Sequence, residues 1–263
     1  MSENICTKYP IVLVHGIGCR DDVGNAWGRI PEYLRNNGFS VFFGNGNAWT
    51  SIKNNAEVLK ENILKILEKT GSQKVNIIAH SKGGLDARYM ISALDMEDKV
   101  SSLTTFNTPH RGTVAMDLMT KLVPRFILKI FAKFVNDKGR KMGDKSPDCF
   151  TSSEELSSAF CRKFNEKIKN SPKVYYQSFF SNLQKAYDRK YGFSFGLTKF
   201  FSKDKCDGVV NEKSAKWGKY KEILKRFNFN HEDIVDCGKN SRKSNIIPKF
   251  YLGVARNLAK MGM

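Results

Sequence analysis

Residues 75–84 read Val75-Asn76-Ile77-Ile78-Ala79-His80-Ser81-Lys82-Gly83-Gly84, an apolar run that halts at a serine and passes at once into small residues. The pattern predicts a buried strand, a tight turn with Ser81 at its tip, and a helix over 82–91. A serine on such a turn is held in a strained backbone conformation that lifts its hydroxyl above the sheet. The residues two before and two after must then be small, and Ala79 and Gly83 meet that need. The helix N-terminus that follows offers unpaired amides and a positive dipole end, where negative charge is stabilised during acyl transfer. Ser81 reads as a nucleophile; the plainer reading is a polar turn that caps a helix.

A nucleophilic serine needs a base, and the chain holds only His15, His80, His110 and His231. On a strand-turn-helix scaffold the partners follow in the order serine, carboxylate, histidine. Only His231 lies late enough, in a polar segment expected to follow a strand. For the orienting carboxylate, Cys206-Asp207-Gly208-Val209-Val210 places Asp207 directly before a glycine that frees the turn; Asp204 and Asp233 are the alternatives. Near the N-terminus, Ile11-Val12-Leu13-Val14-His15-Gly16 is a β-branched strand ending where the backbone can turn sharply. That assigns the oxyanion donors to the backbone amides of Ile17 and Lys82, the latter following the nucleophile. Their side chains are expected to matter less than their amides, and His15 and His80 to serve packing and hydrogen bonding.

These segments, together with Thr108-Pro109-His110-Arg111-Gly112 and Asn230-His231-Glu232-Asp233, resemble the true lipases of pseudomonads and their Gram-positive relatives, within the α/β-hydrolase superfamily. Ala79 in place of the commoner glycine resembles the Ala-His-Ser form of Bacillus lipases. The resemblance implies a Ser81, Asp207, His231 triad and a single domain over 1–263: an α/β-hydrolase fold, with a doubly wound, mostly parallel sheet and a helical lid insertion at 113–148. It also implies a structural Ca2+ held by Asp188 and Asp233, which would fix the loop that carries the base. The disulfide of the pseudomonad enzymes is not expected, because 211–219 contains no cysteine. Strands are expected at 11–14, 41–43, 100–106 and 174–180, a crossover helix at 56–67 and a closing helix at 250–259.

Within the expected lid, 125–135 puts Arg125, Lys129 and Lys133 in one sector of about 80° and fills the rest of the wheel with Phe126, Ile127, Leu128, Ile130, Phe131, Phe134 and Val135. A helix that alternates between covering a cleft and lying on lipid tolerates both faces; the plainer reading is a core helix with snorkelling lysines. The net charge of +18 is spread over the whole surface, since 121–141 carries only seven basic residues against Asp137. It implies attraction to a lipid–water interface or an anionic membrane surface; no motif for specific nucleic-acid binding accompanies it. The six cysteines show no metal-binding or scaffold spacing. No signal peptide is evident, so localisation stays open between cytoplasmic as written and secreted if a leader has been removed.

The expected activity is that of a serine carboxylic-ester hydrolase, a lipase acting on acylglycerol esters with no organic cofactor. The alternatives are a short-chain esterase or phospholipase using the same three residues, and a catalytically silent lipid-binding protein on a hydrolase scaffold.

Overall fold

Alternate residues of the first strand point into two different cores. In β1 (Ile11–Val14), Ile11 and Leu13 join one cluster while Val12 and Val14 join the other, as the two-residue period of a strand requires. The computed structural model describes residues 6–21, 26–185, 189–222 and 227–263. Among these, β1, β2 (Val41–Phe43), β3 (Val75–His80), β4 (Val100–Phe106), β5 (Tyr175–Phe180) and β6 (Lys219–Glu222) form one parallel sheet in the order β2-β1-β3-β4-β5-β6. The helices are α1 (Ile30–Arg35), α2 (Ile52–Thr70), α3 (Lys82–Ala93), α4 (Val114–Leu122), α5 (Arg125–Lys141), α6 (Cys149–Glu154), α7 (Ser158–Lys167), α8 (Arg189–Ser202), α9 (Glu212–Ala215) and α10 (Ile246–Lys260).

One face of the sheet is covered by α2 and α3. Ala56, Leu59 and Ile63, spaced by three and four along α2, meet Val12, Ile77 and Ala79 there. The other face is covered by α1 and α10, whose Leu34, Ile247 and Tyr251 bury Ile11, Leu13 and Ile78. Each such aliphatic side chain removed from water contributes roughly 1.5–3 kcal/mol. The Ser51 hydroxyl accepts the Asn54 amide at 3.2 Å to start α2, and Gly71 ends it in the left-handed region at φ 66°.

The strand order fixes where a site can form. From β1 the chain steps outward to β2, then returns to the opposite side of β1 to build β3, β4, β5 and β6. The loops leaving the carboxyl ends of β1 and β3 therefore diverge and open a crevice between them. Ile17 lies on the first of those loops and Ser81 on the second.

Several boundaries differ from the sequence expectation. Residues 227–230, just before His231, are loop, and the edge strand lies at Lys219–Glu222; its alternation of lysine with Tyr220 offers no apolar run. Helix α8 was not expected, because its phenylalanines and glycines show no amphipathic period. Helix α10 begins four residues early, with Pro248 tolerated in its first turn. Between β4 and β5 the strand-helix alternation gives way to α4, α5, α6 and α7, and α5 runs on to Lys141. Among the described residues no helix is long and apolar enough to cross a membrane.

Candidate active site

Ser81 joins β3 to α3 at φ 51° and ψ −131°, a conformation that costs a residue with a side chain about 1–3 kcal/mol. Its surroundings hold it there. The Ser81 amide donates to the Phe106 carbonyl at the end of β4 (3.0 Å), and the Ser81 carbonyl accepts the Gly84 amide (3.1 Å). A side chain at Gly83 would strike the carbonyl oxygens of Val14 and His15, so only glycine lets α3 start against the end of β1.

The Asp207 carboxylate is fully buried. Its Oδ1 accepts the amides of Val209 (2.8 Å) and Val210 (2.7 Å), and its Oδ2 lies 2.6 Å from His231 Nδ1. A carboxylate so engaged is an acceptor, so the His231 proton sits on Nδ1 and leaves Nε2 with a free lone pair. The backbone repeats the link, with the His231 amide donating to the Asp207 carbonyl at 2.9 Å. Gly208, at φ 102°, allows this turn and packs against Tyr191, where a Cβ would come within 2.9 Å. Asp204, the alternative carboxylate, instead pairs with Lys213 at 3.1 Å.

Ser81 and His231 line one cavity of about 620 Å³, whose walls include Ile17, Trp49, Met116 and Leu156. Among the described residues no hydrogen bond leaves the Ile17 or the Lys82 amide, so both are available to an incoming group. The His80 ring sits 4.5 Å from that of His231. Burial, and then the neighbouring His231, hold the His80 imidazole well below its ordinary range, so it stays neutral beside the base. His15 lies against the Gly16 and Gly46 carbonyls, and His110 stacks on Trp217.

The other predicted positions are distributed as follows. Asp233 is fully buried; its Oδ2 accepts the Asn230 amide at 2.9 Å, and its Oδ1 accepts those of Asn240 (3.0 Å) and Ser241 (2.9 Å). It organises the loop that bears His231 through protein amides. Asp188 lies outside the described residues, and among the described residues no three metal-ligating side chains converge.

The lid expectation meets a specific arrangement. Ala132 and Gly139 face inward from α5, whereas Phe126, Ile127, Ile130, Phe131 and Phe134 face solvent, with Phe131 66% and Phe134 73% exposed. Just past α5, Asp144 accepts the amides of Ala48 and Trp49 (2.9 Å each) and pairs with Arg20 (3.0 Å). Sequence reasoning missed two groups near the site. Lys82 carries a buried ion pair to Asp86 at 2.7 Å, visible beforehand only as an i,i+4 spacing. Glu155 accepts the Ile52 amide at 2.6 Å, and no local signal announced it.

The chain matches the family described as alpha/beta hydrolase fold over residues 9–223. It is 30% identical over 257 residues to triacylglycerol lipase 2 of Saccharomyces cerevisiae, covering 90% of this chain and 74% of the yeast protein. A triacylglycerol lipase of Pseudarthrobacter phenanthrenivorans is 35% identical over 119 residues, 43% of this chain and 37% of that one. Among solved structures, the mature Bacillus licheniformis lipase BlEst2 superposes with a TM-score of 0.73 at 21% identity, covering 95% of this chain and 92% of that one, which is a likeness of fold.

Proposed function

Because the chain belongs to the alpha/beta hydrolase fold family, we propose that it is a serine carboxylic-ester hydrolase that acts as a lipase on acylglycerol esters. Its relatives in yeast and bacteria, named triacylglycerol lipases, support a lipid or ester substrate. The observation that carries the catalytic reading is the meeting, at one cavity, of a strained Ser81 and a His231 whose Nδ1 is held by buried Asp207.

In this mechanism His231 Nε2 takes the Ser81 proton as Oγ attacks the ester carbonyl, and Asp207 stabilises the imidazolium that forms. The Ile17 and Lys82 amides stabilise the tetrahedral oxyanion. The alcohol leaves with the proton from His231, and water repeats the sequence on the acyl-enzyme. Ser81→Ala should fold normally, lose ester hydrolysis and lose covalent labelling by a fluorophosphonate. Labelling that persists in that variant overturns the assignment. Wild-type protein that is never labelled favours a silent lipid-binding scaffold.

The outward apolar face of α5, flanked by Arg125, Lys129 and Lys133, supports action at a lipid–water interface and attraction to anionic membranes, with 113–148 as the lid. A short-chain esterase or phospholipase would use the same residues. Rates against acyl-chain length, with and without an oil–water interface, separate the three.

A further inference from the structure

The loop after β1 and the first turn of α3 bear the candidate oxyanion donors, and a chain of buried polar contacts joins them. Lys82 Nζ donates to Asp86 Oδ1 at 2.7 Å, with both side chains buried. Asn55 Nδ2, from α2, donates to Asp86 Oδ2 at 3.1 Å. The same side chain clasps the backbone of Asn47: its Oδ1 accepts the Asn47 amide (2.9 Å) and its Nδ2 reaches the Asn47 carbonyl (3.1 Å). From there the loop reaches the segment after β1 twice. The Ala48 carbonyl accepts the Gly18 amide (2.9 Å), and the His15 ring spans the Gly46 and Gly16 carbonyls at 3.1 and 2.8 Å. The connected set begins at the residue after the nucleophile and ends on both sides of Ile17.

Stability alone does not account for an ion pair in this place. Taking Lys82 and Asp86 out of water costs most of what their attraction returns, and a well-packed apolar pair of like volume is often as stable. Burial pushes the Asp86 carboxyl up from its ordinary range, opposed by the Lys82 ammonium and the Asn55 amide. Such a pair does supply directionality: within α3 the Lys82 ammonium orients the Asp86 carboxylate, whose other oxygen takes the Asn55 amide of α2, and Asn55 in turn clasps the 46–48 loop. An oxyanion hole depends on this kind of registration, because two amides from different segments must aim at one point.

We infer that Lys82, Asp86 and Asn55 are positioning residues that hold the Ile17 and Lys82 amides in register for the developing oxyanion. The inference rests on the serine-hydrolase reading and adds to it a role for the Lys82 side chain. None of the three side chains lines the cavity; each acts through the backbone that presents the two amides.

The test compares wild-type protein with two variants. Lys82→Met/Asp86→Leu replaces the pair by apolar groups, and Asn55→Ala leaves the pair but cuts its link to the loop. Each is measured for kcat and KM on a soluble p-nitrophenyl ester, for affinity toward an arylboronic acid that forms a tetrahedral adduct with the serine, and for thermal midpoint. The expected result is a fall in kcat of about tenfold or more, with KM within about twofold and boronate affinity falling in parallel. Folded variants with wild-type kcat and boronate affinity, or with a loss confined to KM, overturn the inference. If the apolar pair fails to fold, Asn55→Ala decides by the same readouts, since it strands no charge. Fluorophosphonate labelling of the wild type is done first, so that failure of the serine-hydrolase reading is seen separately.

Discussion

Gly16 faces Ser81 so closely that a methyl group on Gly16 would lie 2.8 Å from Ser81 Cβ and 3.4 Å from its Oγ. The end of β1 and the nucleophile turn are in effect two halves of one mould. Gly16→Ala should displace one of them. Since a misplacement of about 1 Å can cost on the order of a hundredfold in rate, kcat/KM on a soluble ester should fall by about that much. Stability should fall by roughly 1–3 kcal/mol from overpacking. Steady-state kinetics together with urea unfolding check both, and a variant as active as the wild type would refute this account of the turn.

Asp207→Asn preserves a carbonyl oxygen for the Val209 and Val210 amides but places an amide donor before His231 Nδ1. The imidazole must then change tautomer or turn, and Nε2 no longer accepts the serine proton. The expected loss in kcat is on the order of 10³- to 10⁴-fold, with a nearly unchanged thermal midpoint. Retention of more than a tenth of the activity would reassign the orienting carboxylate.

Burial pushes the Glu155 carboxyl up to about 7, from an ordinary value of 4.5. A carboxyl raised on folding favours the native state while it is protonated. Its contribution is therefore complete below about 4.5 and lost as pH rises through about 7, and it amounts to roughly 3 kcal/mol at most. Glu155→Gln, which can still accept the Ile52 amide, should flatten the decline in unfolding free energy between pH 5 and pH 8. Equal slopes for the two proteins would contradict the assignment.

Phe131 and Phe134 project from α5 into solvent. Phe131→Ser/Phe134→Ser should leave soluble-ester kinetics unchanged and shift stability by about 0.5 kcal/mol or less per site. Co-sedimentation with vesicles rich in anionic lipid should weaken at least about tenfold, because each ring inserted into lipid is worth roughly 1.5–3 kcal/mol. Binding that is unaffected by the double substitution, or indifferent to anionic lipid content at low salt, would place the contact elsewhere.

The Asp233 oxygens are taken by three backbone amides. Exhaustive chelation should therefore move the thermal midpoint by less than about 1 °C, whereas Asp233→Ala should lower stability by about 1–3 kcal/mol by stranding buried amides. A midpoint that collapses on chelation and returns with calcium would place a cation at this loop.

The elbow at Ser81 was legible because two local rules collide there: an apolar strand period stops, and small residues follow at fixed offsets. His231 was singled out by elimination among four histidines, and the fold puts its Nδ1 against Asp207. Asp207 was harder, because an aspartate before a glycine is also an ordinary turn; what separates it from Asp204 is the 2.6 Å contact to His231. Helix α8 and strand β6 escaped because neither shows a period of its own: β6 is an exposed edge strand formed by pairing with β5, and α8 has no amphipathic stripe. The calcium expectation drew on the position of Asp233 in the chain, whereas that its oxygens accept amides up to eight residues away is visible only in the fold.

Residue order by itself determined the features that act over a few residues: the β-branched strands, the strained serine turn, and the glycines at 16, 83 and 208 that permit close approach. These follow from sterics within one turn of backbone, so they are written where they act. The tertiary structure alone decided which carboxylate reaches His231, that Ile17, Ser81 and His231 line one cavity, and that α5 turns its phenylalanines outward. Asn55 meeting Asp86 belongs to the same class. Each of these depends on the relative placement of segments tens of residues apart, which the cooperative packing of the two cores on the parallel sheet sets and no local pattern encodes.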